Sequence, residues 1–314
     1  MLTYTLKRLG LTVAIVAVAM SILFLMIHFV PGDPVTLALG TRATDEMREA
    51  YRIKMGLDRP IYVQYITFFA NVMRGDIGQD VFSNQAVSTI ISHHLPHTVV
   101  LVIVSIAWSA LLGIFLGCFS AVHRGSLIDR FTGVVTVSAI AIPSFVVSLY
   151  SLLIFAVLLR VLPAIGAGEP GDLIDQAKHL VLPAFALGLG WVGYIARLVR
   201  ASMLEIMGEN YIRSARSYGL MEYTVVYSYA LKIAVLPTVA LLGVGVGNML
   251  SGALFAELVF ARPGIGKLIY EMVMARNFPV VQGAVLITTF MFVVSALISD
   301  LINAYLDPRV RSSL

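Results

Sequence analysis

Six apolar runs set the terms for any fold this chain can adopt. They lie at about 9–30, 98–122, 131–160, 179–202, 233–257 and 281–304, and each approaches or exceeds the ~20 residues a helix needs to cross a bilayer. None alternates with period two as a membrane barrel strand does, so each predicts a helix. Composition agrees. The chain is 59% hydrophobic and 13% charged, against roughly 45–50% and about 25% in soluble domains. The expected fold class is an all-α integral membrane protein with six transmembrane helices, in a single domain over 1–314. The single Cys118 falls inside an apolar run, which leaves no disulfide framework and no thiolate metal cluster. No Pro-rich, Gly/Ser-rich or like-charge tract marks a disordered tail or a second soluble domain.

An even number of spans puts both termini on one side. Lys and Arg are about twice as dense in 1–8, 123–130, 203–232 and 305–314, with Arg197 and Arg200, as in the other hydrophilic segments. That bias predicts cytoplasmic termini, although Arg262, Lys267 and Arg276 in a short outer loop run against it. Lys7-Arg8 before an apolar stretch and Ala17-Val18-Ala19 imitate a cleavable leader. The apolar run continues to Val30, past the 7–15 residues of a leader core, so a retained first helix is expected.

The longest outer segment, 31–97, opens on the helix-breaking Pro31-Gly32-Asp33-Pro34. Two amphipathic stretches follow, near 44–55 (Thr44, Met47, Ala50, Tyr51) and 61–73 (Ile61, Tyr65, Phe68, Phe69, Val72). Both predict short helices over the outer mouth. They fit either a lid packed on the bundle or a docking surface for an external partner.

Residues suited to chemistry are scarce. Gly264-Ile265-Gly266-Lys267-Leu268 imitates the end of a phosphate loop, but Ala261 stands at the first glycine and Leu268 where Ser or Thr must hold Mg²⁺. A turn between helices is expected. Gly243, Gly245 and Gly247 fit close packing inside the fifth helix, and Gly113 and Gly117 fit a helix contact in the second. His93-His94-Leu95-Pro96-His97 is the one metal-like cluster, with Pro96 expected to spoil a regular spacing of its rings, so no metal site is assigned. No nucleophile elbow, His-Glu-x-x-His or paired intramembrane carboxylates appear, so no catalytic residue is assigned. Asn248, Ser251 and Glu257 of the fifth helix are candidates to line a translocation path, with packing hydrogen bonds as the alternative. Asp300, near the inner end of the sixth, is expected to cap or pair. Pro143, Pro183 and Pro237 fall within the third, fourth and fifth helices and predict kinks.

The inner segment 203–232 holds the best organised polar stretch, Gly208 to Leu220. Glu209 and Asn210 start a helix and Gly219 stops it, with Ile212 and Ala215 on one face and Arg213 and Arg216 on another. About eight residues make ~12 Å of helix, too little to persist unsupported in water. Lipid headgroups held by the two arginines are one support. A groove on a cytoplasmic protein is the other, and the small apolar area of Tyr211, Ile212, Ala215 and Tyr218 favours it.

Glu209-Asn210-Tyr211-Ile212-Arg213-Ser214-Ala215-Arg216-Ser217-Tyr218-Gly219-Leu220, with Ala230-Leu231-Lys232 and Leu236-Pro237, resembles the EAA loop of bacterial ABC importer permeases. Lys7-Arg8-Leu9-Gly10, His28 with Pro31-Gly32-Asp33-Pro34, Met55-Gly56-Leu57-Asp58, Gln64-Tyr65 and Gly75-Asp76-Ile77-Gly78 resemble that family's first third. Phe260-Ala261-Arg262-Pro263-Gly264-Ile265-Gly266, Pro279-Val280-Val281-Gln282-Gly283 and Asp307-Pro308-Arg309 resemble its last third. The first third is most similar to the B-type subunit of the dipeptide/oligopeptide branch. Ser217-Tyr218 and Lys232-Ile233 depart from the common Ala-Lys and Arg-Asn.

The resemblance implies a type I importer permease in the bacterial inner membrane. Its partners would be a homologous second permease, two cytoplasmic ATPases that use ATP and Mg, a periplasmic peptide-binding protein and membrane lipid, with no nucleic acid. The short helix would be the coupling helix, with Glu209, Asn210, Tyr211, Ile212, Arg213, Ala215, Arg216, Gly219 and Leu220 engaging an ATPase. The chain itself would bind no cofactor and catalyse nothing. Nickel and glutathione are alternative cargoes. An ATP-independent channel or secondary transporter is the runner-up, for which neither intramembrane charge pairs nor inverted repeats are evident.

Overall fold

The apolar runs become helices that mostly outgrow them. A computed structural model describes residues 2–29, 44–54 and 58–306; the Pro31-Gly32-Asp33-Pro34 turn, Met55-Gly56-Leu57 and Asp307-Pro308-Arg309 lie outside them. Five spanning helices stand alone: α1 (Leu2–Phe29), α4 (Val87–Val122), α7 (Leu173–Ile206), α9 (Leu236–Val259) and α11 (Phe278–Leu306). Two shorter helices, α2 (Asp45–Lys54) and α3 (Ile61–Met73), sit where the amphipathic patterns predict them. Among the described residues there is one isolated bridge, Gln79 to Ala86, and no strand.

The third span corrects the expectation of one kinked helix over 131–160. It is two helices, α5 (Leu127–Ala141) and α6 (Ser144–Ser151), the latter continuing as a π-helix through Leu158, bent by 100°. The cause is local. Pro143 forces Ile142 out of the helical region (φ −88°, ψ 120°), and Pro143 itself takes the extended N-cap position of the next helix without a side-chain capping bond. Taken as one broken span, the pair raises the number of candidate spans among the described residues from five to six.

The other prolines behave differently. Pro183 is buried in an unbroken α7. Pro237 is not inside its helix, as expected, but in the first turn of α9, where its missing N–H leaves nothing unpaired. Pro96 lies within α4, so the three nearby histidines do share a helix, contrary to the spacing argument. Among the described residues no three His, Cys, Asp or Glu side chains are grouped to hold a metal.

Glycines set the helix spacing. A Cβ on Gly117 of α4 would lie 2.5 Å from the Ala196 carbonyl of α7, and one on Gly247 of α9 would lie 1.9 Å from the Phe292 ring of α11. Such approach distances let backbones meet and dispersion accumulate where the lipid offers no hydrophobic drive. Side-chain donors also tie the helices together: the Ser109 Oγ donates to the Gly188 carbonyl at 2.8 Å, and Trp108 Nε1 donates to the Ala184 carbonyl at 3.0 Å. Helix α1 packs along α11, and Arg8 pairs with Asp300 at 2.8 Å, which gives Asp300 its expected partner.

Two ends result. At one, Val87 and Ile91 of α4 join Ile265, Leu268, Val280 and Ala284 in an apolar cluster beside the hairpin 76–86. At the other, Cys118 and Ala121 of the same helix belong to a cluster built around the 203–232 segment. The 27 residues of α4 from Ile91 to Cys118 separate the two by ~40 Å.

Candidate functional site

The stretch singled out by sequence folds as an eight-residue helix, α8 (Asn210–Ser217). Glu209 takes the extended cap conformation (φ −69°, ψ 150°), though its carboxylate makes no capping bond. At the far end Gly219 N–H donates to the Arg216 carbonyl at 2.9 Å and Leu220 N–H to the Ala215 carbonyl at 3.4 Å. With Gly219 at φ +77°, these bonds form a Schellman stop, which needs the left-handed conformation that glycine adopts without Cβ strain.

The support for this helix is its own chain. Ile212 is 0% and Ala215 5% exposed. Both enter a cluster with Cys118 and Ala121 of α4, Ile195, Val199 and Met203 of α7, and Val225, Val226, Ala230 and Ala234 of the return passage. That passage runs through Glu222–Thr224, a π-helical Val225–Ala230 and Leu231–Ala234. Burying one isoleucine is worth ~1.5–3 kcal/mol, enough to hold a helix too short to hold itself. The two apolar positions therefore seat α8 against the return passage Val225–Ala230, in a cluster that α4 and α7 share, rather than facing outward.

The outward face carries Tyr211, Arg213, Ser214, Ser217 and Tyr218, all exposed. Arg216 is engaged: its Nη2 and Nε donate to the Glu222 carboxylate at 2.7 and 3.1 Å, a fork that closes across Gly219. The Arg216 guanidinium in turn holds the Glu222 carboxyl below its ordinary pKa. Burial, helped by the Glu209 carboxylate, pushes the Tyr211 phenol up.

The candidate path residues separate. Asn248 and Ser251 are exposed on α9, on one face with Val244 and Phe255. Glu257 is not with them. It is 0% exposed and accepts from the Thr98 hydroxyl at 2.5 Å, the Gly266 N–H at 2.8 Å and the Lys267 N–H at 3.2 Å. It thus caps α10 (Ile265–Met274), where free N–H groups and the helix dipole favour a carboxylate. A Cβ on Gly264 would lie 2.0 Å from that carboxylate. The phosphate-loop imitation is therefore occupied by a side chain of the same protein, and Glu257 lines no path within this chain.

A further polar group escaped sequence reading. Asp129, at the start of α5, accepts from Arg200 Nε and Nη2 of α7 at 2.7 and 2.8 Å, from the Gly125 N–H at 3.0 Å and from the Ser120 hydroxyl of α4. These residues border a cavity of about 360 Å³ at the α8 end of the bundle. Arg200 was read only as part of the charge bias, and nothing in the chain announces a partner 71 positions away.

Spanning helices packed through glycines, with a short helix keyed into one end, define the membrane subunit of a transporter. Residues 113–312 match the family described as "Binding-protein-dependent transport system inner membrane component". Residues 1–105 match "Binding-prot-dependent transport system membrane comp, N-term". The chain belongs to this family of binding-protein-dependent transport permeases.

Curated relatives extend over nearly all of it. The glutathione transport system permease protein GsiC of Escherichia coli (strain K12) is 33% identical over 99% of both chains. The protein of the same name from Pectobacterium atrosepticum is 34% identical over 99% of both. The solved inward-facing structure of the MetNI methionine ABC transporter has a TM-score of 0.58 at 18% identity, covering 70% of this chain and 97% of that one, and shows the shared fold. The protein is a multi-pass inner-membrane permease component of an ABC importer, a transport subunit and not an enzyme. A permease of this class works with a second permease, an ATPase and a binding protein.

Proposed function

We propose that this chain forms half of the path of an importer for short peptides, with tripeptide-sized cargo such as glutathione inside its range, and that α8 is its coupling helix. The cargo class is supported by the dipeptide/oligopeptide resemblance together with the full-length relatives named for glutathione transport. The coupling role is supported by one observation: the apolar side of α8 is buried in a cluster shared by the return passage, α4 and α7, while its polar side is exposed. A helix fixed in this way passes a displacement to the spanning helices, where a loop would absorb it.

The bare face of Tyr211, Arg213, Ser214, Ser217 and Tyr218 fits a groove on a cytoplasmic ATPase that draws on ATP and Mg, with both termini cytoplasmic. Glu209, Asn210 and Leu220 frame that face, while Ile212, Ala215, Arg216 and Gly219 hold its shape. Asn248 and Ser251 sit near the midpoint of α9, where a polar side chain in hydrocarbon is costly. Their exposed face therefore fits a second permease or a water-filled path. The expected periplasmic binding protein would deliver cargo at the opposite end, over α2 and α3.

Two experiments test the reading. A cysteine in place of Ser214 should crosslink to an ATPase subunit in the assembled transporter, and capture of lipid alone would remove the coupling assignment. Uptake of labelled glutathione by cells carrying the full system should be blocked by unlabelled di- or tripeptides. Block by nickel alone would reassign the cargo.

A further inference from the structure

The cavity beside Asp129 is built into the packing rather than left by it. Helix α7 is pinned to α4 at Gly117 and to α5 at Gly193, where a Cβ would lie 2.5 Å from the Thr136 carbonyl. Toward the α8 end the helices part, and a Cβ on Gly133 of α5 would meet nothing within 4 Å. The resulting wedge of about 360 Å³ has room for on the order of ten waters at ~30 Å³ each, more than a simple anion fills.

Its charge is positive. Arg200 and Asp129 neutralise each other in their two-point contact. Arg130 and Arg197 line the same wedge, both exposed, and among the described residues no carboxylate pairs with either. On the bilayer side the wall includes Val137, 52% exposed, and Val134, one turn away on α5, is 66% exposed beyond it. A ligand that fits must be anionic at one end and apolar at the other.

We propose that this wedge binds the phosphate headgroup of an anionic glycerophospholipid from the leaflet on the α8 side. Arg130 and Arg197 hold the phosphate, and an acyl chain runs along Val137 and Val134. Guanidinium forks match phosphate oxygens, and basic pockets between spanning helices at the membrane surface favour such headgroups. Because the wedge joins α4, α5 and α7, the bound lipid braces α4 and α7, which share the cluster that seats α8. The site does not depend on the cargo or on the ATPase assignment.

Native mass spectrometry of the purified full chain, loaded with equal phosphatidylglycerol and phosphatidylcholine, tests this. One phosphatidylglycerol should be retained preferentially. Arg130→Gln and Arg197→Gln should each weaken that retention roughly fivefold, in line with the attraction of one basic residue to an anionic surface. Gly133→Leu, whose Cβ would meet nothing within 4 Å, should abolish it while the thermal melt stays unchanged. Arg160→Gln, a charge removed elsewhere, should leave it intact. Equal retention of both lipids, or insensitivity to Gly133→Leu, would overturn the proposal. Displacement by millimolar inorganic phosphate would overturn it in favour of a free-anion site.

Discussion

The helix at one end of the bundle and the helix at the other are held in opposite ways. Helix α8 has eight residues, two of them buried. Helix α3 has thirteen, none of them buried. It rests on α1 through side contacts: the Tyr65 hydroxyl lies 2.8 Å from Ser21 Oγ, and the Tyr65 and Phe24 rings meet edge-on at 5.3 Å. Its other side shows Tyr62, Ile66 and Met73 to the surroundings. The shorter helix is thus the more firmly fixed. Length sets how much helix can form alone, but the depth its side chains reach sets whether it moves with the bundle. A transmitting element needs the second property, whereas an element resting on the outer mouth does not.

Breaking the α8 stop should have the largest effect. Gly219→Val forces a β-branched residue into a left-handed conformation that costs ~1–3 kcal/mol, and substrate-stimulated ATP hydrolysis by the assembled transporter should fall about tenfold or more. Gly219→Asn, whose side chain tolerates that conformation, should retain most of it. Normal stimulation in Gly219→Val would show that the stop does not matter for coupling.

The contrast in anchoring can be measured directly. Ile212→Ala should destabilise the α8 end by ~2–5 kcal/mol, read as faster amide exchange over 210–217. Tyr65→Phe, which removes only the bond to Ser21, should cost ~0.5–1.5 kcal/mol and change exchange over 61–73 alone. Equal costs at the two ends would refute the comparison.

A smaller effect is expected from acid at the outer hairpin. Burial alone would raise the Asp80 carboxyl. Hydrogen bonds from Ser83, Asn277 and the N–H groups of Phe82 and Ser83 outweigh it and hold the group below its ordinary 3.8. A carboxyl depressed in the folded state contributes stability that is complete above its ordinary value and lost as the pH falls through the lowered one. Exchange over 76–86 should therefore accelerate below about pH 4 while 210–217 keeps its protection, and the Asp80→Asn variant should lose this pH dependence. Smallest of all, Arg216→Gln opens a half-exposed ion pair worth at most ~1 kcal/mol. A slight loss of protection at 218–222, weakened further by salt, is the expected readout.

Much of α8 was legible in the chain. The limits of α8 follow from Asn210 and Gly219, and its inward face from the spacing of Ile212 and Ala215, because capping and helical periodicity depend on near neighbours. What that face enters was not legible. Cys118, Ile195 and Val225 come from three distant stretches, and the expectation of an outside support overlooked the chain's own core. Glu257 takes the packing role left open as the alternative, and its partner was not legible: a carboxylate at the end of an apolar helix signals polarity, but the N–H groups that claim it belong to the first turn of the next helix, α10. Pro143 marked the third span without announcing a 100° turn, since a proline forbids one conformation and leaves the next helix's direction to its packing.

The sequence by itself determined the apolar helices, the short helix and its stop, and the family to which the chain belongs. Each depends on the length of an apolar run or on the conformational limits of residues adjacent in the chain. Only the tertiary structure decided that α8 is seated in its own bundle, that Glu257 caps a helix, and that Asp129 and Arg200 meet beside a cationic wedge. Those outcomes require groups far apart in the chain to converge within hydrogen-bonding distance, and convergence is set by how whole helices pack.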